Sequence, residues 1–133
     1  MKLFLFKLGI ILPFGVPVPG YLIQTDSGLN VLVDTGLPYS FINNPRNPEG
    51  IQFEMKEEDY IVNRLNEIGL TPKDINYLIC THFDIDHAGN NELFGNAEII
   101  VQRPNYELDK SGNPRLALSK EHWDGPEFNY KII

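Results

Sequence analysis

The largely apolar run Ile75-Asn76-Tyr77-Leu78-Ile79-Cys80 leads without a break into Thr81-His82-Phe83-Asp84-Ile85-Asp86-His87-Ala88-Gly89-Asn90. No other part of the chain constrains folding so tightly. Apolar residues on both faces predict a strand in the middle of a sheet. His82, Asp84, Asp86 and His87 then fall within six residues, at the carboxyl end of that strand. Open α/β sheets build ligand sites at such ends. Two imidazoles and two carboxylates packed this tightly are costly unless a cation neutralises them. These donor types suit Zn²⁺, Fe²⁺, Mn²⁺ and Co²⁺. In extended backbone alternate residues share a side, so His82, Asp84 and Asp86 are expected to converge. His87 would point back from a short helix over Asp86 to Leu93. The same spacing also suits a solvated polar loop in which Asp86 caps that helix. Spacing by itself leaves both readings open.

The flanking sequence supplies an α/β frame. Leu3 to Leu12 predicts a first strand rather than a signal peptide, because Lys7 interrupts the apolar run and Pro17 and Pro19 make a poor cleavage context. Pro13 to Gly20 reads as a turn-rich connection. Tyr21–Thr25 and Leu29–Asp34 around Asp26-Ser27-Gly28 predict a β-hairpin. Residues 37 to 52, with three prolines and three asparagines, read as a loop. Glu54 to Ile68 follows helical spacing, with Tyr60, Ile61, Leu65 and Ile68 on one stripe and Gly69 as the stop. Thr71-Pro72-Lys73-Asp74 resembles a cap with proline at the first helical position. Ala97–Val101 predicts a strand, Pro104–Leu108 the start of a helix, and Phe128–Ile133 a last strand.

Composition excludes several classes of function. The chain has 133 residues and a formal charge of −7, which fits one domain and repels phosphate backbones, so no nucleic-acid partner is expected. No stretch approaches the ~20 apolar residues of a membrane span, so no membrane association is expected either. The single cysteine, Cys80, forms no internal disulfide; inside an apolar run it is expected to be buried and inert. A lone thiol suits a reducing, cytoplasmic location.

The run from Thr81 to Asn90 resembles the His-x-His-x-Asp-His signature of the metallo-β-lactamase superfamily, with its usual surroundings. Val31-Leu32-Val33-Asp34-Thr35-Gly36 is similar to that family's second recurring element. Tyr21-Leu22-Ile23 matches its hairpin partner, and Gly69 to Ile75 the approach to the metal strand. The resemblance covers roughly residues 18 to 108. Pro19 to Thr25, and the continuation from Asn91 to Val101, look most like the N-acyl homoserine lactonase group of quorum-quenching hydrolases.

The resemblance implies an αββα sandwich of two sheets with flanking helices, of which this single domain, 1–133, would supply the N-terminal half with a mixed sheet. It implies two divalent metal ions, Zn²⁺ first, with Fe²⁺ or Mn²⁺ as alternatives. His82 would bind the first metal. Asp86 and His87 would bind the second, with Asp86 also facing the attacking water as the catalytic carboxylate. Asp34 would orient a ligand by hydrogen bonding. Asp84 stands where most members have a second histidine for the first metal; as a carboxylate ligand it would favour a harder cation.

The family's remaining ligands, a histidine, a bridging aspartate and a final histidine, are expected in a C-terminal half. His122 is not assigned as a ligand, and Trp123 is expected to pack or to wall a pocket. The implied reaction is hydrolysis of a small lactone or ester, of N-acyl homoserine lactone type, by a metal-activated water. A thioester hydrolase of the glyoxalase II kind, and a non-catalytic metal-binding or inactive fragment, are the alternatives. Leu12, Phe14 and Val16 are candidates for an apolar groove. The sheet face meant for the other half would be exposed and open to self-association.

Overall fold

The computed structural model describes residues 1–44 and 51–133. Its strands are β1 (Lys2–Leu12), β2 (Val16–Gln24), β3 (Asn30–Val33), β4 (Gln52–Glu54), β5 (Tyr77–Ile79), β6 (Glu98–Val101) and β7 (Tyr130–Ile132). Among the described residues three helices accompany them: α1 (Ile61–Glu67), α2 (Ile85–Ala88) and α3 (Arg103–Lys110). The strands form one mixed seven-stranded sheet in the order β4-β1-β2-β3-β5-β6-β7. β1, β2, β3 and β4 pair antiparallel, while β3, β5, β6 and β7 run parallel.

The core follows from register. Phe4, Leu22, Leu32, Leu78 and Ile99 are paired in sequence across five strands. Paired residues share a face, so they make one apolar row. Leu22, Leu32 and Leu78 are fully buried, in one core with Ile61 and Leu65 of α1, Phe41 and Phe94. Side chains one residue away point to the opposite face, where Leu3 and Leu5 are 61% and 70% exposed and Tyr21 is 38% exposed. That exposed apolar face is the one expected for half of a two-sheet sandwich.

Three expectations need correction. The connection from Pro13 to Gly20 is mostly strand, since β2 begins at Val16. Pro17 and Pro19 are tolerated because β2 meets β3 only from Tyr21 onward, and because the β1 register shifts between Lys7 and Ile10. At such unpaired or bulged positions a missing N–H costs little. The helix expected over Glu54 to Ile68 is shorter. Glu54 belongs to β4, which pairs with Ile10 to Leu12, and a single 3-10 turn at Glu57–Asp59 precedes α1. Buried Asp59 explains the break. It binds Arg64 at 3.1 Å and Lys7 at 3.3 Å, and its carboxylate accepts from the Lys56 N–H. The loop expected over 37 to 52 contains a 3-10 turn at Tyr39–Phe41 and ends at β4, while residues 45–50 lie outside the described residues.

Candidate metal centre

β5 delivers the chain to Thr81 at the sheet's carboxyl edge, beside the end of β3. Asp34, the residue after β3, has a φ of 64°. Aspartate is among the few side chains that enter this left-handed region readily. The turn buries its carboxylate, which then accepts three bonds from the other segment. The Thr81 N–H donates to Oδ1 at 2.9 Å, the Thr81 hydroxyl to Oδ2 at 2.7 Å, and His87 Nδ1 to Oδ2 at 2.8 Å.

A second set of bonds laces the same two segments. The Thr35 N–H donates to the His87 carbonyl at 2.8 Å, and the Gly89 N–H to the Gly36 carbonyl at 3.0 Å. Asn90 Nδ2 donates to the carbonyls of Thr35 and Leu37, at 2.9 and 2.8 Å. The Thr35 hydroxyl donates to Asn91 Oδ1 at 2.9 Å. A Cβ on Gly89 would lie 2.5 Å from the Gly36 carbonyl oxygen, so only glycine permits this approach. Thr35, Asn90 and Asn91 were not singled out as positioning residues from sequence. Their one signal was adjacency to the two motifs.

These bonds orient the histidines. The Thr81 hydroxyl has one proton and gives it to Asp34, so at 2.9 Å it accepts from His82 Nδ1. His82 Nε2 is then bare, and Asp84 Oδ2 lies 3.4 Å from it. His87 spends Nδ1–H on Asp34, and its Nε2 lies 3.4 Å from Asp86 Oδ2. The two rings are adjacent, with centroids 4.1 Å apart. Burial and the neighbouring His87 push the His82 pKa down. For His87 burial also disfavours the imidazolium, but the hydrogen bonds to Asp34 and Asp86 prevail and raise its pKa to about 10. A site that favours positive charge at His87 favours a cation at the same nitrogen.

The donor set fits a divalent metal. Ligand atoms of His82, Asp86 and His87 all lie within 4.8 Å of one another. Two imidazole nitrogens and one carboxylate oxygen, with the imidazole Nδ1–H groups hydrogen-bonded from behind, are what such ions require.

The expected convergence along extended backbone is realised differently. α2 begins at Ile85, so Asp86 and His87 both come from its turns. Asp84 is the N-cap residue in place of Asp86, and its side chain makes no capping bond. Instead it faces Arg115, whose Nη2 lies 2.9 and 3.0 Å from its two oxygens. Among the described residues, the three-donor group does not include Asp84.

A cavity of about 650 Å³ opens beside the site. His82, Asp84 and Asp86 line it, with apolar wall from Ile11, Ile51, Phe53, Ile85 and Leu118. Leu12, Phe14 and Val16 are not part of that wall, and Phe14 is 85% exposed. Trp123 packs: it stacks on Phe83 with centroids 4.3 Å apart. His122 Nδ1 is bonded to Glu92 at 2.9 Å. Cys80 is buried, which raises its thiol pKa to about 12 and keeps it a thiol at neutral pH.

Comparison with known proteins identifies the family. The metallo-beta-lactamase superfamily profile matches residues 14–128, and the chain belongs to that superfamily. N-acyl homoserine lactonase AiiA of Bacillus thuringiensis subsp. kurstaki is 42% identical over 128 residues, covering 89% of this chain and 48% of that protein. N-acyl homoserine lactonase AttM of Azorhizobium caulinodans is 31% identical over 99 residues, covering 71% of this chain and 37% of that protein. Among solved structures, an N-acyl homoserine lactone hydrolase with N-hexanoyl-L-homoserine at its catalytic metal centre superposes with a TM-score of 0.75 at 35% identity. That match covers 99% of this chain and 59% of the other. The chain thus spans about half the length of the curated relatives it matches.

Proposed function

We propose that these residues carry the metal-binding half of a hydrolase acting on lactone or ester carbonyls of the N-acyl homoserine lactone type. One observation supports this above the others. Ring nitrogens of His82 and His87 and a carboxylate oxygen of Asp86 lie within 4.8 Å of one another while Asp34 anchors the geometry from behind. A divalent ion held there supplies Lewis acidity to a carbonyl oxygen and lowers the pKa of water.

The chain's own groups do the rest. Asp34 keeps the His87 ring fixed and its Nε2 turned to Asp86. The Asp86 carboxylate orients the attacking water and takes its proton at an Oδ atom. The wall of Ile11, Ile51, Phe53 and Leu118 receives an acyl chain and excludes water. The three donors would hold one such ion, and donors for a second would have to come from the family's other half. That half, or a second copy, would cover the exposed face around Leu3, Leu5 and Tyr21. A reducing, cytoplasmic setting suits the buried Cys80 thiol.

A second reading has its own observation. All three converging donors lie on one short segment and Asp84 is engaged by Arg115. Such a chain binds one metal without turnover.

Elemental analysis of protein never exposed to chelator, with its mass in solution and pH-stat assays on an N-acyl homoserine lactone and a thioester, separates these readings. Close to two metals per chain with lactone hydrolysis supports the lactonase. Preferred thioester turnover moves the substrate class to the glyoxalase II kind. One metal and no turnover by the folded chain supports the binding module, and no metal refutes both.

A further inference from the structure

Arg115 reaches Asp84 from far along the chain, and its position is built. It sits on a 3-10 turn at Pro114–Leu116, whose cap Asn113 accepts from the Arg115 N–H at 3.2 Å. Leu116 is buried and pins the turn. The Ser119 hydroxyl donates to the Phe83 carbonyl at 2.6 Å and accepts from Trp123 Nε1 at 3.2 Å. Phe83 is the neighbour of Asp84 and also carries the stacked Trp123 ring. The segment bearing Arg115 is therefore clamped to the segment bearing Asp84.

The guanidinium meets both oxygens of a carboxylate that also lies 3.4 Å from the bare His82 Nε2. Both oxygens are thus engaged by a cation before any metal arrives. We propose that Arg115 is a positioning residue that competes with metal for Asp84. It withholds a fourth donor from the His82, Asp86 and His87 set and so sets the affinity of the centre. This rests on the metal-centre reading above and names a control on it. An arginine in this place offsets carboxylate charge without needing a metal, and it yields when a cation binds Asp84 more strongly.

The test is a double-mutant cycle read by zinc titration calorimetry on the 133-residue chain: wild type, Arg115→Gln, Asp84→Asn and the double variant. Arg115 is 58% exposed, so its replacement leaves the core intact. The expected result is zinc binding about two- to fivefold tighter in Arg115→Gln, the range of a partly exposed ion pair. In the Asp84→Asn background the same substitution changes nothing. Co²⁺ absorption of Arg115→Gln gains the signature of one more oxygen donor.

Equal tightening in both backgrounds overturns the proposal, since it reports only the loss of a nearby positive charge. Unchanged binding in Arg115→Gln also overturns it and leaves the metal centre standing. Zinc binding by none of the four proteins fails the metal centre itself, and the proposal with it.

Discussion

His87 Nδ1 donates to Asp34 Oδ2 at 2.8 Å, joining residues 53 positions apart, and that bond leaves Nε2 as the His87 nitrogen on the side of Asp86. The same oxygen accepts the Thr81 hydroxyl that orients His82. One buried carboxylate thus aims both imidazoles.

Asp34→Asn is expected to weaken zinc binding by about 10- to 100-fold, the usual effect of losing such a supporting partner. An amide has one acceptor oxygen for three donors and brings two donors of its own. Stability is expected to fall by about 1–3 kcal/mol as a buried group loses its partner. Titration calorimetry and urea unfolding measure the two effects separately.

Gly89→Ala should destabilise the fold by about 1–3 kcal/mol, the range for overpacking. Its Cβ would press on the carbonyl oxygens of Gly36 and Ile85, at 2.5 and 2.6 Å, and backbone cannot rotate aside. Gly95→Ala is the control, because its Cβ meets nothing within 4 Å. A shift within about 0.5 kcal/mol is expected there. Chemical denaturation midpoints of the two variants decide the matter.

Trp123→Ala is expected to cost about 3–5 kcal/mol. The ring is 1% exposed, and it lies parallel to Phe83 with an interplanar angle of 9°. Its removal also loosens the segment carrying Arg115. Far-ultraviolet circular dichroism in urea follows this loss without relying on the chain's one tryptophan.

His122 provides the pH dependence. Burial opposes its protonation, but the hydrogen bond to Glu92 and the negative charges of Glu92 and Glu121 together outweigh burial and raise its pKa. A histidine raised on folding contributes stability that is complete below its unfolded value of about 6.5. That contribution disappears as pH rises through the folded value. Wild type should therefore lose up to about 1 kcal/mol relative to Glu92→Gln as pH climbs above 6.5, after allowance for solvent screening. Parallel stability curves for the two proteins from pH 5.5 to 9 contradict this.

Local pattern carried much of the fold. The apolar run ending at Cys80, the hairpin around Asp26-Ser27-Gly28, the Gly69 stop and the Thr71-Pro72 cap are all legible within a few residues, and each stands where its chemistry places it. β4 was not legible, because three residues with no periodicity become a strand only when β1 offers an edge. The helix over Glu54 to Tyr60 failed for a related reason. Its acidic residues have helical propensity, but Asp59 gains more from burial against Arg64 and Lys7 than a helical turn would provide.

For the site, the sequence alone determined the donor inventory: His82, Asp84, Asp86 and His87 lie close together in the chain, and their chemistry needs no fold to be recognised. Tertiary structure decided what each donor does. Asp34 and Thr81, 47 residues apart, meet because β3 and β5 are parallel neighbours. Asp84 meets Arg115, 31 residues on, because the Ser119–Phe83 and Trp123–Phe83 contacts bring that turn back to the motif. Hydrogen bonds and ion pairs act over about 3 Å, whereas chain separation sets no such distance, so partners chosen by packing cannot be read along the sequence.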